Sequence, residues 1–273
     1  MLIAQVTDTH IKAAGRLAYR KVDSATKLAD CVAHLNALPQ RPDVVLMTGD
    51  LVDSGRPEEY RVLRQLIAPL EMPIFVIPGN HDRHDTFRAA FADHGYLPPS
   101  GKFLHYAIED YPVRLIGLDS TVPGEPGGDM CDERLAWLES CLRERPDRPT
   151  VVFMHHPPFL TGIKNMDIQN CRNGDALGAV IERHPQVFHL LCGHVHRAIH
   201  LNWHGITASI APSPSHSVAL DLDEFASHDF SLEPPACQLH HWRDDTGLIS
   251  HLTFIGNHEG PYPFFGADGK LID

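Results

Sequence analysis

Five short apolar runs in the chain are each followed by side chains that can bind a metal ion. The runs cover residues 1–6, 44–47, 74–77, 150–154 and 187–192. Apolar runs of this length are typical of parallel strands buried on both faces. Because ligand sites in such sheets lie beyond the carboxyl ends of the strands, we expect one site at these ends. The side chains found there are Asp8, His10, Asp50, Asn80, His81, His155, His156, His194 and His196.

Amphipathic stretches lie between these runs and predict helices that connect the strands. Asp23 or Ser24 can cap a helix that ends near Pro39, and Pro57 suits the first turn of a second helix. Three further helices are predicted over residues 86–93, 132–145 and 174–183. The alternation of strands and helices predicts an α/β fold.

Two parts of the chain depart from this alternation. Residues 103–108 and 113–118 predict a hairpin, which indicates an antiparallel or mixed part of the sheet. After Arg197, short alternating strands are interrupted by prolines and by an acidic stretch. We therefore predict one domain over residues 1–273, within which residues 199–254 form a candidate cap or dimerisation subdomain. A late hairpin that only extends a sheet is the alternative interpretation of this pattern.

Composition limits the partners that the protein can bind. The chain of 273 residues has a formal net charge of -12 and no basic patch, which argues against nucleic-acid polymers and anionic membranes. No apolar stretch approaches the roughly 20 residues that a transmembrane helix requires. The first strand begins at Met1, where a leader would stand, and the six cysteines form no CxxC pair. We therefore expect a cytoplasmic protein with reduced thiols.

The residue types at the strand ends indicate which metal ions fit. Carboxylate and amide oxygens mixed with imidazoles, without thiolates, favour Mn, Fe or Zn over Mg or Ca. Seven converging ligands are enough for two ions if one carboxylate, most obviously Asp50, bridges them. Two ions about 3.5 to 4 Å apart can clamp a phosphoryl oxygen and lower the pKa of a shared water to about 7, which yields hydroxide for in-line attack. The pattern thus predicts a hydrolase that forms no covalent enzyme intermediate.

Five motifs together resemble those of the calcineurin-like metallophosphoesterases. They are DTH at residues 8–10, GDLVD at 49–53, GNHD at 79–82, HH at 155–156 and GHVH at 193–196. The FMHHPP, CGH and GRPEEY stretches are similar to those of the bacterial glycerophosphodiesterases and class III cyclic nucleotide phosphodiesterases. The resemblance implies a four-layer α/β/β/α sandwich, with two mixed sheets between layers of helices and a small β-rich C-terminal cap.

The resemblance also implies roles for the motif residues. One metal ion would be held by Asp8, His10, Asp50 and His196. The other would be held by Asp50, Asn80, His155 and His194. His81 would stabilise the transition state or protonate the leaving group, with Asp82 behind it as an orienting carboxylate. A helix cap is the alternative role for Asp82.

Three further residues lie near the motifs or could reach a substrate. His156 has no metal role in the family, and we expect it to pack against or orient its neighbour. For Tyr19 and His216 we expect a surface aromatic ring and a loop histidine, with contact to the substrate as the alternative.

These observations predict a dinuclear-metal phosphodiesterase that hydrolyses small diesters, either glycerophosphodiesters or 3',5'-cyclic nucleotides. Its cofactors would be two transition-metal ions, and its partner a small-molecule diester, with no nucleic-acid polymer and no membrane. The family resemblance also leads us to expect a homo-oligomer, dimer or higher. The alternatives are a phosphomonoesterase of the same superfamily and a non-catalytic metal-binding scaffold.

Overall fold

Two β-sheets pack face to face in the computed structural model, which describes residues 1–272. The strands are β1 (Leu2–Val6), β2 (Val44–Thr48), β3 (Ile74–Ile77), β4 (Tyr106–Ile108), β5 (Arg114–Leu118), β6 (Gly128–Asp129), β7 (Thr150–Met154), β8 (Cys171–Arg172), β9 (Val187–Cys192), β10 (Ile199–Trp203), β11 (Ile206–Ile210), β12 (Ser217–Val218), β13 (Phe230–Ser231), β14 (Ala236–Arg243) and β15 (Gly247–Phe254). The helices are α1 (Ser24–Ala37), α2 (Pro57–Ile67), α3 (His84–Ala90), α4 (Asp132–Glu144), α5 (Lys164–Asp167) and α6 (Gly174–Glu182).

The first sheet has the strand order β15-β14-β1-β2-β3. Strands β1, β2 and β3 run parallel, with Ile3 opposite Val44 and Val45 opposite Ile74. Strand β14 pairs antiparallel with β1, and β15 pairs antiparallel with β14. All residues of β1 and β2 are buried, which explains why their sequences are mostly apolar.

The second sheet has the strand order β10-β11-β9-β7-β5-β4. Strands β5, β7, β9 and β11 run parallel, whereas the two outer strands pair antiparallel with their neighbours. The β4–β5 pair is the hairpin that the sequence predicts over residues 103–108 and 113–118. The prediction of a mixed sheet is therefore confirmed.

Helices cover the outer faces of both sheets. Helices α1, α2 and α3 contribute Leu28, Leu63 and Phe87 to the core of the first sheet. Helices α4 and α6 contribute Leu138 and Leu177 to the core of the second sheet. This arrangement confirms the four-layer α/β/β/α sandwich. Within residues 1–272, no helix is both long enough and apolar enough to span a bilayer.

Helix α3 differs in its limits from the helix predicted over residues 86–93. It begins at His84, because the Phe87 amide already donates to the Arg83 carbonyl at 2.8 Å, and it ends at Ala90. The chain then continues as a turn, in which the Phe91 amide donates to the Phe87 carbonyl at 3.1 Å and the His94 amide donates to the Phe91 carbonyl at 3.0 Å. The predicted buried positions Phe87 and Phe91 are both fully buried.

Residues 199–254 do not form a separate unit in the structure. Strands β10 and β11 extend the second sheet, and β14 and β15 extend the first. Strand β11 pairs with β9 and strand β14 pairs with β1, so the backbone hydrogen bonds of these late strands are made within the two main sheets. Between β11 and β14, residues 211–235, which contain the small β12–β13 pair, lie outside both sheets. The candidate cap is thereby reduced to this segment, and its covering role stays a prediction.

Candidate active site

The seven predicted ligands lie together where the carboxyl ends of the two sheets meet. Four follow β1, β2 and β3 of the first sheet, and three follow β7 and β9 of the second. Contacts between sheets hold the ends together: His155 Nδ1 lies 2.9 Å from the Thr48 carbonyl oxygen, and the His194 amide donates to Asp8 Oδ2 at 2.9 Å. The ligand role of the seven stays a prediction. They are Asp8, His10, Asp50, Asn80, His155, His194 and His196.

The backbone bends sharply at these strand ends. Positive φ angles occur at Asp8, His10, Asp50, His194 and His196. Such angles cost non-glycine residues roughly 1 to 2 kcal/mol each, and Asp and His tolerate them better than most. Glycines allow the closest approaches, since a Cβ on Gly49 would lie 2.4 Å from His155 Nδ1 and one on Gly79 would lie 2.2 Å from Asp50 Oδ1. Strain concentrated in this way is typical of functional sites.

Asp8, His10 and His196 form one group of donors beside Asp50. His196 Nε2 lies 3.3 Å from Asp8 Oδ1 and 3.2 Å from His10 Nε2. His10 Nε2 lies 3.7 Å from Asp50 Oδ2. All four side chains are buried, and His10, Asp50 and His196 line one cavity.

Asn80, His155 and His194 form a second group on the other side of Asp50. His155 Nε2 lies 3.4 Å from Asp50 Oδ2 and 3.2 Å from Asn80 Oδ1. The ring centroids of His155 and His194 are 5.2 Å apart. The same carboxylate oxygen of Asp50 therefore faces one imidazole of each group, which is the position that a bridging ligand requires.

The atoms of this cluster fit transition-metal ions. Within residues 1–272, His194 Nε2 is buried and has no hydrogen-bond partner. Buried polar atoms are normally paired, so unpaired ones indicate a missing partner. Two buried carboxylates, Asp8 and Asp50, also need positive charge nearby. Neutral imidazoles with carboxylate oxygens are suitable ligands for Mn, Fe and Zn.

Burial and neighbouring charges set the ionisation of these groups. Burial opposes the charged form of Asp8, but His196 and His155 outweigh it and lower the pKa of Asp8 to about 2. Burial, together with the neighbouring His155, lowers the pKa of His194 to about 3. At neutral pH, Asp8 is therefore a carboxylate and His194 a neutral imidazole, which are the forms that bind metals.

His81 lies at the edge of the cluster with its ring held by the backbone. Its Nδ1 lies 2.7 Å from the Asp53 carbonyl oxygen, and since a carbonyl can only accept, Nδ1 carries the proton. Nε2 is left facing the site, 4.0 Å from Asp50 Oδ2. Burial opposes the charged form, but Asp50 and the Asp53 carbonyl outweigh it and raise the pKa of His81 above its ordinary value.

Asp82 has different partners from those that the resemblance implies. Its carboxylate accepts hydrogen bonds from the Leu51 amide at 3.1 Å, the Gly79 amide at 2.9 Å and the Tyr60 hydroxyl at 2.6 Å. The His81 ring bonds to the Asp53 carbonyl instead, and the N-cap of α3 is the next residue along the chain. Burial and the charge of Asp50 raise the pKa of Asp82 to about 6. Asp82 thus joins the loops that follow β2 and β3.

His156 lies beside the cluster, but protein atoms occupy both of its ring nitrogens. Nδ1 lies 2.9 Å from Ser120 Oγ, and Nε2 lies 3.2 Å from the Pro126 carbonyl oxygen. These contacts agree with a packing role and leave neither nitrogen free for a metal ion.

His216 lies in a loop, as expected, but it borders the site. It is buried, and its ring centroid lies 4.5 Å from that of His196 and 5.5 Å from that of His10. Tyr19 packs edge-on against His216 at 5.2 Å and is half exposed at the entrance. The bond from Ser213 Oγ to the Asp8 carbonyl, 2.8 Å long, brings this segment to the site. That contact joins distant parts of the chain, so no local pattern indicates it.

Two cavities meet at Asn80 and His81. The smaller has a volume of about 330 Å³, contains the histidine cluster, and is bordered by the segment from Val218 to Phe230. The larger has a volume of about 850 Å³ and lies between the start of α3 and the loop over residues 121–126. A group bound beside His81 therefore has open volume on two sides.

Comparison with known proteins decides the family. The family model described as calcineurin-like phosphoesterase matches residues 1–198. The chain belongs to the calcineurin-like phosphoesterases. This family is hydrolytic and uses a dinuclear metal centre, and the cluster at the strand ends contains groups of His and Asp that could hold metal ions.

Relatives of this phosphoesterase are similar over most or all of its length. A probable glycerophosphodiester phosphodiesterase GpdQ from Arcobacter nitrofigilis is 44% identical, with 100% of both chains covered. The 3',5'-cyclic adenosine monophosphate phosphodiesterase CpdA from Escherichia coli K12 is 32% identical, with 77% of this chain and 75% of CpdA covered. Among solved structures, a dimetal phosphatase from Danio rerio has a TM-score of 0.63 at 14% identity, covering 94% of this chain and 99% of that one. This last likeness concerns the fold alone.

Proposed function

We propose that the protein is a dinuclear-metal phosphodiesterase of small diesters, with glycerophosphodiesters preferred over 3',5'-cyclic nucleotides. The observation that carries this proposal is the position of Asp50, whose Oδ2 lies 3.7 Å from His10 Nε2 and 3.4 Å from His155 Nε2. One carboxylate between two groups of imidazoles suits two metal ions. The relative named a probable glycerophosphodiester phosphodiesterase, similar over its whole length, supports the substrate class.

The ligands divide into two sets that share one carboxylate. One ion would be held by Asp8, His10, Asp50 and His196. The other would be held by Asp50, Asn80, His155 and His194. When bound, such ions polarise a phosphate ester and make a water molecule acidic enough to supply the nucleophile. The imidazole, carboxylate and amide donors lead us to propose Fe, Mn or Zn.

His81 would give its proton to the leaving alkoxide. Its Nδ1 donates to the Asp53 carbonyl oxygen at 2.7 Å, so the ring has a fixed orientation and Nε2 faces the site. A protonated Nε2 can donate, and a positioned acid of this kind typically contributes about 10² to 10⁴ in rate. His81 is therefore proposed as the general acid, while Asp82 supports the loops around it.

The charge of the site favours a diester over a monoester. The residues that border the smaller cavity include Asp50, Asp221 and Asp229 but neither Lys nor Arg. A phosphodiester carries one negative charge, whereas a monoester approaches two at neutral pH. The proposed metal ions would contact the phosphate of either ester, but in the smaller cavity the extra charge would also face Asp221 and Asp229 without a Lys or Arg beside them, since Arg83 lines only the larger cavity. The phosphomonoesterase alternative is therefore the weaker one.

The two cavities favour acyclic diesters. An acyclic diester has two separate substituents on phosphorus, and a phosphate beside His81 could extend one into each cavity, of about 330 and 850 Å³. A cyclic nucleotide carries both ester oxygens on one sugar and would use one side alone. Cyclic nucleotides remain the second candidate, because the CpdA relative is 32% identical over 77% of this chain.

Turnover of the purified, metal-loaded protein on a panel of substrates tests the proposal. The panel contains glycerophosphodiesters, 3',5'-cyclic nucleotides and phosphomonoesters at matched concentrations. We expect the highest kcat/KM on the acyclic diesters. Faster turnover of monoesters would support the phosphomonoesterase, and two bound ions without turnover of any ester would support the scaffold.

We also propose that the protein forms a homo-oligomer. Apolar side chains are exposed on the segment outside the sheets and near the C-terminus, with Phe225 90%, Phe264 79% and Tyr262 67% exposed. Exposed apolar groups of this size are often covered in assemblies. Light scattering of the full chain should give a mass of at least two chains, and a single-chain mass at micromolar concentration would contradict the proposal. A cytoplasmic location stays a prediction of the sequence.

A further inference from the structure

The GRPEEY motif at the start of α2 supplies neither a proposed metal ligand nor the general acid. Two of its residues are nevertheless deeply buried: Glu59 is 3% exposed and Tyr60 is 2% exposed. A glutamate is rarely buried without a partner. Both side chains point towards the loops that carry the site residues, and each has specific hydrogen-bond partners there.

Tyr60 is connected to the loop that contains His81. Its hydroxyl donates to Asp82 Oδ1 at 2.6 Å, and Asp82 Oδ2 accepts from the Gly79 amide at 2.9 Å and the Leu51 amide at 3.1 Å. The ring of Tyr60 also packs edge-on against Phe87 at 6.2 Å. Tyr60 thus holds the Asp82 carboxylate in place, and that carboxylate in turn holds the Gly79 amide at the start of the turn that contains His81.

Glu59 is connected to the other contact of the same histidine. Its Oε2 accepts from the Ser54 amide at 2.9 Å and the Arg56 amide at 3.2 Å. These bonds hold the loop directly after Asp53, whose carbonyl oxygen accepts from His81 Nδ1 at 2.7 Å. Glu59 and Tyr60, neighbours in α2, are therefore connected to the two backbone segments that position His81: the loop after Asp53 and the turn that begins at Gly79.

We propose that Glu59 and Tyr60 are positioning residues that hold the His81 ring in the orientation needed for proton donation. The inference rests on the proposed function, because it gives His81 the role of general acid. Neither residue would touch the substrate. Their effect would arise because a small displacement of a catalytic group lowers the rate even when binding is unchanged.

Tyr60→Phe tests the inference with little change in packing, since the ring remains and only the hydroxyl is removed. We expect kcat on an alkyl diester to fall by about 10- to 100-fold, the usual effect of changing an outer hydrogen-bond partner. KM and metal content should stay close to the parent values. Turnover of a diester with a 4-nitrophenolate leaving group should fall much less, because that group leaves without a proton.

Tyr106→Phe is the matched control. Tyr106 is also buried, and its hydroxyl donates to the Val76 carbonyl at 2.8 Å, between the two sheets, and not to Asp82 or to the loop after Asp53. The Tyr106→Phe variant should lose as much stability as Tyr60→Phe, but its ratio of turnover on the alkyl diester to turnover on the 4-nitrophenyl diester should equal that of the parent. Equal losses on the two diesters in Tyr60→Phe, or the same pattern in both variants, would overturn the inference.

Glu59 is tested by a pair of substitutions. Glu59→Ala removes the acceptor for the Ser54 and Arg56 amides and should lower kcat on the alkyl diester as Tyr60→Phe does. Glu59→Gln keeps a carbonyl oxygen in reach and should restore most of the rate. An inactive Glu59→Gln, or a fully active Glu59→Ala, would contradict the proposed role.

Hydrogen exchange in the metal-free protein gives a result that does not depend on activity. The Leu51 and Gly79 amides should exchange faster in Tyr60→Phe than in the parent and in Tyr106→Phe. If the parent hydrolyses no diester, the proposed function fails, while faster exchange would still support the link from Tyr60 to this loop. Unchanged exchange of both amides would overturn the inference whatever the activity of the parent.

Discussion

Asp50 lies between the two groups of imidazoles, and its substitution tests the bridging role at the scale of one residue. Asp50→Asn should weaken the binding of both ions and abolish turnover, because a neutral amide is a poor bridge between two cations. Metal analysis and diester turnover measure the two effects. Asp43→Asn is the control, since Asp43 bonds to the Leu2 amide outside the site. Two ions retained with full activity in Asp50→Asn would contradict the bridge.

His81→Ala should lower turnover without loss of metal. Removal of the general acid is expected to lower kcat by about 10² to 10⁴, while the proposed ligands remain in place and metal content stays near normal. Metal analysis and kcat are the measurements, with the exposed His251→Ala as control. Loss of a metal ion in His81→Ala would make His81 a ligand instead of an acid.

The individual site residues differ in how far the sequence predicts them. The strand-end residues Asp8, Asp50 and His155 follow apolar runs directly, so a local pattern is enough to bring them to one edge. The contacts of Asp82 with Tyr60 and the position of His216 depend on residues from other elements. No short pattern in the chain encodes these contacts, and they are seen only in the fold.

At the scale of elements, Asp119 joins the end of β5 to the start of α3. It accepts from the Leu104 amide at 3.1 Å and the Thr121 amide at 3.0 Å, and His84 Nε2 lies 3.0 Å from its Oδ2. Burial opposes the ionisation of Asp119, but His84 and then Thr121 outweigh it and lower its pKa to about 2. The charged carboxylate therefore stabilises the folded state.

Asp119→Asn should lower the free energy of unfolding by about 2 kcal/mol at pH 7, because this is the free energy that corresponds to lowering the pKa of Asp119 from 3.8 to about 2. Since the folded-state pKa is depressed, this stabilisation is present above pH 3.8 and is lost as the pH falls towards 2. Urea unfolding at pH 7 and at lower pH measures the difference. The exposed Asp93→Asn should change little, and an equal effect in both variants would contradict the account.

The segment outside the sheets borders the smaller cavity and is attached to α5. Asn165 Nδ2 donates to the Ala226 carbonyl at 2.9 Å and to the Ser227 carbonyl at 2.8 Å. Replacing residues 222–232 by a short Gly and Ser linker should raise turnover of bulky diesters relative to small ones, because discrimination depends on the surroundings of the reacting group. Relative kcat/KM values measure this effect.

A milder version of the same test uses single residues. Asn165→Ala should shift the substrate ratio in the same direction as the linker. Asn36→Ala, which removes a 2.8 Å bond to the Pro69 carbonyl far from the cavity, should not. An unchanged ratio in a folded, metal-loaded linker variant would show that the segment does not restrict access.

The sequence predicts the elements well where the pattern of apolar and polar residues is regular, and less well where a strand could pair in more than one way. The parallel strands and the β4–β5 hairpin follow from apolar runs and turns. The strands after Arg197 alternate in polarity, which fits both a separate cap and an extension of the sheets. In the structure, β11 pairs with β9 and β14 pairs with β1. Such pairing depends on distant parts of the chain.

At the scale of the whole molecule, the two sheets are held by the contacts that also build the site. Gln5 Nε2 donates to Thr48 Oγ1 at 3.0 Å within the first sheet and to the Cys192 carbonyl at 2.9 Å in the second. Metal ions bound between the strand ends would add further links between the two sheets. Ligands that bind only the folded state stabilise it, so the metal site and the stability of the sandwich should be coupled.

The most direct test of the central claim is a titration of the metal-free protein with Mn or Zn, in which bound metal and hydrolysis of a glycerophosphodiester are followed together. We expect no hydrolysis without metal, and a rate that rises until two ions are bound per chain. Saturation at one ion, or full diester hydrolysis by the metal-free protein, would contradict a dinuclear metal phosphodiesterase.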